Sequence, residues 1–246
     1  MPVRTIAPAI AAAVFAAATL TPAGHAHAEL ITELAFDSLP SAQGWTLTKS
    51  GPHANDSEAS MFAVDGTALT QSTVGKGMGF SSPGNATYRY DTPIEFEDAP
   101  TVSLFFTTRV TAHEQTRQDF SFGGHRFSIV HDGQTAYVGI KPGELNAMRS
   151  YFTPQGFDGT AVNTFQLTLF TDTKSYEFYL NGQLVRQGAS EGSGLADGLF
   201  ILDGTGTANA NAEVTQLVAV AGTAIPEPAT ATLIALGLPL LIKRSR

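Results

Sequence analysis

The sequence predicts an all-β fold in which two antiparallel sheets face each other across one core. Three observations predict it. Glycine, proline, asparagine and aspartate interrupt the central chain about every eight to twelve residues, the rhythm of a sandwich or barrel. No long stretch carries apolar positions at the helical period of about 3.6 together with a cap. Between the interruptions, β-branched and aromatic residues alternate with polar ones, as strands with one buried face require.

The elements follow in order. Strands are expected over 31–36 and, after the turn Leu39-Pro40-Ser41, over 45–48. Residues 60–64 run into Asp65-Gly66, a tight-turn dipeptide, and 68–72 return from it. In 86–90, Tyr88 and Tyr90 share one face and Arg89 takes the other. Residues 102–110 form the longest early run: Leu104, Phe106 and Thr108 face one way, Phe105, Thr107 and Arg109 the other. Residues 120–130 are interrupted by Gly123-Gly124 and read either as one bulged strand or as a hairpin. A strand over 136–140 follows Asp132-Gly133, and 165–171 puts Phe165, Leu167 and Leu169 on one side. The clearest hairpin spans 175–185, with Tyr176, Phe178 and Leu180 on one face. Its turn is Asn181-Gly182, because a type I′ turn needs positive φ at both central residues. Strands over 199–202 and 213–220 complete the set. Long alternating strands joined by tight turns bury one face against a second sheet, so a two-sheet jelly-roll sandwich is expected. No internal repeat points to a propeller.

Both ends differ from this middle. Arg4 precedes an Ala-rich apolar stretch over 6–20, and His25-Ala26-His27-Ala28 offers an Ala-x-Ala site. That is the pattern of a secretory signal peptide over 1–28, with signal peptidase cutting after Ala28 and Ala26 at the preceding small position. Export is therefore expected. The chain has no cysteine, so an exported domain must rely on its apolar core and not on disulfides. The chain carries 14 Lys+Arg against 22 Asp+Glu. Setting aside Arg4, Glu227, Lys243, Arg244 and Arg246 leaves 10 against 21, a net charge near −11 for the middle. Without a basic run to neutralise phosphates, no nucleic acid is expected as partner.

The middle resembles the concanavalin-A-like or laminin-G-like jelly roll. The stretches that carry the resemblance are "FDSLPSAQGWTL", "DGTALT" with "TVSLFFTTRV", "NTFQLTLFTDTKSYEFYLNGQLV" and the closing "AEVTQLVAV". They cover roughly residues 31–221 and define a domain over 29–224.

The end of the chain, "IPEPATATLIALGLPLLIKRSR", resembles a PEP-CTERM sorting signal over 225–246. Pro226, Glu227 and Pro228 form the tripeptide, an apolar helix follows, and Lys243, Arg244 and Arg246 form the cytoplasmic basic stop. The resemblance implies a bacterium of the Gram-negative type and processing near the tripeptide by an exosortase-type membrane protease. Residues 229–242 would span about 21 Å as a helix at 1.5 Å per residue. A bilayer core is about 30 Å thick, so the segment is short for a permanent span and fits transient membrane insertion. The basic end would stay cytoplasmic. Pro226 and Pro228 disfavour helix, which leaves the tripeptide extended for a protease.

The sequence holds few catalytic patterns. A glycosidase needs two carboxylates about 5–9.5 Å apart. The laminarinase-type Glu-x-Asp-x-x-Glu is absent from the sequence. Glu95, Glu97 and Asp98 come closest, but Pro93 and Pro100 bracket them as a loop or edge. His113-Glu114-Gln115-Thr116-Arg117 misses the zinc-protease motif, because Arg117 stands where the second histidine belongs. His125 and His131 are two metal-ligand types without a third. Gly75, Gly77 and Gly79 read as a loop, and no serine sits in Gly-x-Ser-x-Gly. Calcium binding at Asp203 has one carboxylate behind it, so no cofactor is expected. Trp45, Tyr88, Tyr90, Tyr137, Tyr151 and Tyr179 are candidates either for sugar stacking or for the core.

The expected protein is thus an exported, exosortase-sorted component of the cell surface, envelope or extracellular matrix. Its expected activity is non-enzymatic glycan binding or adhesion, with extracellular polysaccharide as partner. The alternatives are a polysaccharide hydrolase or lyase of the same fold, and a permanently membrane-anchored structural domain.

Overall fold

The computed structural model describes residues 29–73, 85–94, 99–111, 115–132, 136–141, 150–190, 198–201 and 210–222. The signal-peptide residues Ala26 and Ala28, the tripeptide Pro226-Glu227-Pro228 and the basic stop at Lys243, Arg244 and Arg246 lie outside them. So do Gly75, Gly77, Gly79, Glu95, Glu97, Asp98, His113, Glu114 and Asp203.

The chain opens with β1 (Glu29–Glu33), β2 (Trp45–Ser50), β3 (Phe62–Val64), β4 (Leu69–Ser72) and β5 (Asn85–Tyr90). Its middle is β6 (Thr101–Val110), β7 (Gln115–Phe122), β8 (His125–Asp132), β9 (Ala136–Lys141) and β10 (Ser150–Phe152). It closes with β11 (Asn163–Phe170), β12 (Ser175–Leu180), β13 (Gln183–Ala189), β14 (Leu199–Ile201) and β15 (Asn211–Ala221).

These strands form two antiparallel sheets. The eight-stranded sheet runs β13-β12-β11-β6-β15-β4-β3, with β1 on β15 beyond the reach of β4. The seven-stranded sheet runs β10-β9-β8-β7-β14-β5-β2. The chain crosses repeatedly between sheets, so sequence neighbours such as β5 and β6 sit in different layers.

Alternation decides what lies between the layers. Leu104, Phe106 and Thr108 point inward from β6, Phe165, Leu167 and Leu169 from β11, and Tyr176, Phe178 and Leu180 from β12, all buried. Phe120, Phe122, Phe127, Ile129, Val138 and Ile140 meet them from the other sheet. The Phe106 ring lies 4.3 Å from Phe120, 4.8 Å from Phe127 and 4.9 Å from Phe165. Aromatic pairs of this kind each add about 0.5–1.5 kcal/mol beyond the area they bury.

The hairpin forms as the sequence predicts. Asn181 has φ 51° and Gly182 φ 76°, the two positive values of the expected turn. Asn181 also ties the turn to β11, accepting the Thr164 N–H on its side-chain oxygen at 2.9 Å. The tight turn at Asp65-Gly66 is present too. Asp65 Oδ1 accepts from Thr67 N–H, Thr67 Oγ1 and Ala68 N–H, and these bonds hold its carboxyl below the usual range.

One expected boundary is corrected, one open choice is decided in favour of the hairpin, and one strand is added. The first strand is Glu29–Glu33, not 31–36, because the β15 ladder reaches back to pair Glu29 with Ala221. The stretch 120–130 is a hairpin turning at Gly123-Gly124, and its first strand begins at Gln115. β10 has only three residues and was not expected from its sequence.

Candidate functional site

The outer face of the seven-stranded sheet carries the candidate site. It begins with the alternation of β7. Gln118, Phe120 and Phe122 are buried toward the core, so Arg117, Asp119 and Ser121 point away from it. Antiparallel register then lines up rows across the sheet.

One row joins Asp119 to Ser128 on β8, Gly139 on β9 and Tyr151 on β10. A second joins Arg117 to Val130 and Tyr137. A third runs Arg89, Phe200, Ser121, Arg126, Lys141 across five strands. Directly opposite residues on one face lie close enough to interact, so each row is a line of neighbours.

The floor of this face is buried and its rim is open. Asp119 is 2% exposed, Ser128 0%, Val130 8% and Ser121 9%. Tyr151 is 49% exposed, and Arg89 is exposed as well. Arg117 donates two hydrogen bonds to the Asp119 carboxylate, both at 3.0 Å, and Ser128 Oγ donates a third. A buried carboxylate is tolerated only with such partners, and the bidentate arginine fixes its orientation.

Tyr137 and Tyr151 meet edge to face at 5.4 Å beside Gly139, where no side chain rises from the floor. On the opposite flank the Arg89 guanidinium lies over the Phe200 ring at 5.7 Å. The face thus combines apolar ring surface, fixed hydroxyl and carboxylate groups, and cationic donors.

The six aromatic candidates separate by face. Trp45 and Tyr88 are core residues, 3% and 0% exposed, and Tyr90 packs on Trp45 at 5.2 Å. Burial, then the bond to Glu58, pushes the Tyr88 phenol far above its ordinary range. Tyr179 lies on the other sheet and donates to Glu177, which raises its phenol too. Only Tyr137 and Tyr151 of the six stand on the candidate face.

His125 and His131 share the inner face of β8 and are both buried. Six residues of strand separate them by about 20 Å, too far for one metal ion. His125 instead bridges the layers, with Nδ1 3.0 Å from Gly123 O and Nε2 3.0 Å from Ser190 Oγ. Burial pushes its imidazole below the ordinary value, outweighing the opposing bond to Gly123. Among the described residues no group of three or more His, Asp or Glu could hold a metal ion. No described helix is long and apolar enough to cross a membrane.

In the sequence Arg117 stands out only as the residue that breaks a zinc motif, and Asp119 does not stand out at all. The run Gln115-Thr116-Arg117-Gln118-Asp119 is polar throughout, so its alternation is invisible until the structure turns Gln118 inward, where its Oε1 accepts from Thr108 on the other sheet.

The fold and this face define a two-sheet β-sandwich with aromatic and charged side chains on the outer surface of one sheet. No protein-family model and no curated protein matches the chain. Solved structures do. The endo-1,3-β-glucanase of Streptomyces sioyaensis superposes with TM-score 0.55 at 10% identity, covering 81% of this chain and 98% of its own. The endo-β-1,3-glucanase of Pyrococcus furiosus gives 0.53 at 14% identity, covering 80% and 96%. The CBM2 module of the evolved Dit of Lactobacillus casei BL23 phage J-1 gives 0.53 at 13%, covering 81% and 99%. At such identities the likeness concerns the fold.

Proposed function

We propose that the chain is an exported surface or matrix protein whose sandwich binds polysaccharide on the outer face of its seven-stranded sheet without cleaving it. The observation that carries this reading is the grouping of Tyr137, Tyr151, Asp119, Ser128 and Arg126 on the outer face of one sheet. Ring faces pack on the C–H face of a sugar, while fixed polar groups orient its hydroxyls. Two proteins of the same fold are named as β-1,3-glucanases, which adds support for a glycan ligand.

Binding fits the site better than hydrolysis. Asp119 is enclosed by Arg117 and Ser128, whereas a glycosidase needs a second carboxylate about 5–9.5 Å away with room for substrate between them.

The sorting assignment rests on the terminal sequences. Signal peptidase would cut after Ala28, and an exosortase-type protease would act at Pro226-Glu227-Pro228, with Lys243, Arg244 and Arg246 held in the cytoplasm. The domain would then span 29–224 as a concanavalin-A-like jelly roll, with helical segments only in the precursor's ends.

Affinity electrophoresis of the full chain through gels containing laminarin or acidic polysaccharides tests the binding. Retardation by at least one, reduced in Tyr151→Ala, is expected; unchanged mobility in all of them removes the reading. Mass spectrometry of the mature C-terminus tests the sorting, and an intact Arg246 on matrix-extracted protein would contradict it.

A further inference from the structure

The third row of the candidate face has a chemistry of its own. Arg89, Phe200, Ser121, Arg126 and Lys141 occupy directly opposite positions on five successive strands. At about 4.8 Å per strand the row is roughly 19 Å long. Arg89 is exposed and Arg126 half-buried, and among the described residues no carboxylate forms an ion pair with either.

This is unusual for the chain as a whole. The protein is acidic, with net charge −8, yet the row carries basic residues and no acidic one. Arg126 and Lys141 also stand opposite each other in the β8–β9 ladder. The neighbouring rows respond differently. Arg117 is neutralised by Asp119, whereas at the end of the third row Thr46, opposite Arg89, donates to the Asp91 carboxylate and no carboxylate pairs with Arg89 or Arg126 among the described residues.

We infer that the third row, through Arg89 and Arg126, selects a carboxylated polysaccharide, a polyuronate, over a neutral glucan. The inference rests on the polysaccharide-binding reading above and specifies its ligand. An extended chain would lay successive sugar carboxylates along the row. Guanidinium groups suit this task because they present planar paired donors to a carboxylate. Tyr151, one row away, and Tyr137, two rows away, would pack on the same chain. Net charge −8 opposes diffuse attraction of a polyanion, so any affinity for one must come from a local cationic site.

The test measures binding of the full chain to polygalacturonate and to laminarin by isothermal titration calorimetry, at low and at raised salt. Polygalacturonate should bind at least tenfold tighter, with affinity falling as salt rises. Arg126→Gln and, independently, Arg89→Gln should each weaken that binding about tenfold. Lys174→Gln removes the same charge from the β11–β12 turn of the other sheet and should leave it unchanged. Circular dichroism confirms that each variant is folded. Equal or tighter binding of laminarin, or wild-type affinity in both arginine variants, overturns the polyuronate inference and leaves polysaccharide binding standing. Failure to bind either polymer overturns both.

Discussion

The two sheets present outer faces built by the same alternation, yet the faces end in different chemical states. On the eight-stranded sheet the outward residues satisfy one another. Ser103 pairs with Thr168 at 3.0 Å and with Gly222 O at 2.7 Å, Thr107 pairs with Thr164 and Gln216, and Arg109 pairs with Glu213. Phe105, Val218 and Val220 add a small buried cluster of their own. On the seven-stranded sheet, Arg117 and Asp119 close on each other, but Arg89, Arg126 and the rim of Tyr151 remain directed outward. A binding face differs from an inert one by which groups it turns toward solvent, and that depends on register, which brings particular rows together.

Perturbations can sharpen this comparison. The largest effect should come from the core that both faces share. Phe106→Ala removes the ring touching Phe120, Phe127 and Phe165, and should cost about 3–5 kcal/mol in denaturant unfolding. Both faces should be lost together; loss of one alone would mean that the sheets fold independently. Next comes the floor of the binding face. Asp119→Ala leaves the partly buried Arg117 without its carboxylate and should destabilise by about 3 kcal/mol. Asp119→Asn, which keeps the shape, should cost less, and a reversed order would contradict the buried ion pair.

The inert face should respond more weakly. Ser103→Ala removes two hydrogen bonds and should cost about 1 kcal/mol, with polysaccharide binding untouched. Changed binding there would break the division between faces. Tyr151→Ala should do the opposite. Half-exposed, it should alter stability by less than about 0.5 kcal/mol while weakening binding.

Acid should act on neither face but on the seam between the layers. His125 has a folded-state pKa below its ordinary 6.5 because burial disfavours the imidazolium. The unfolded chain therefore binds more protons just below that value, and stability rises with pH there. The contribution is complete above about pH 6.5 and is lost as pH falls toward the folded value. Thermal unfolding between pH 7 and pH 5 should show this decline, and His125→Gln should flatten it.

Much of the fold was legible because its signals are local. Asn181-Gly182 specifies its turn from two residues, and β6 displays its inner face in Leu104 and Phe106. The site was less legible. Tyr137 and Tyr151 were named among six aromatics, but nothing in their own segments separates them from Trp45 or Tyr88, which lie in the core. Arg117 stands out in the sequence only as a residue that spoils a zinc motif. Its partner Asp119 lay in a polar run whose inward members, such as Gln118, hide the strand period.

The sequence by itself determined most of the strands, their inner faces and the tightest turns, since alternation and positive-φ residues act within a few positions along the chain. The tertiary structure decided which strands became neighbours. Arg89, Phe200 and Arg126 are far apart in the chain and share a row only because β5, β14, β7 and β8 pair in that order. Hydrogen-bond registry between distant segments sets that order, and no short stretch of sequence encodes it.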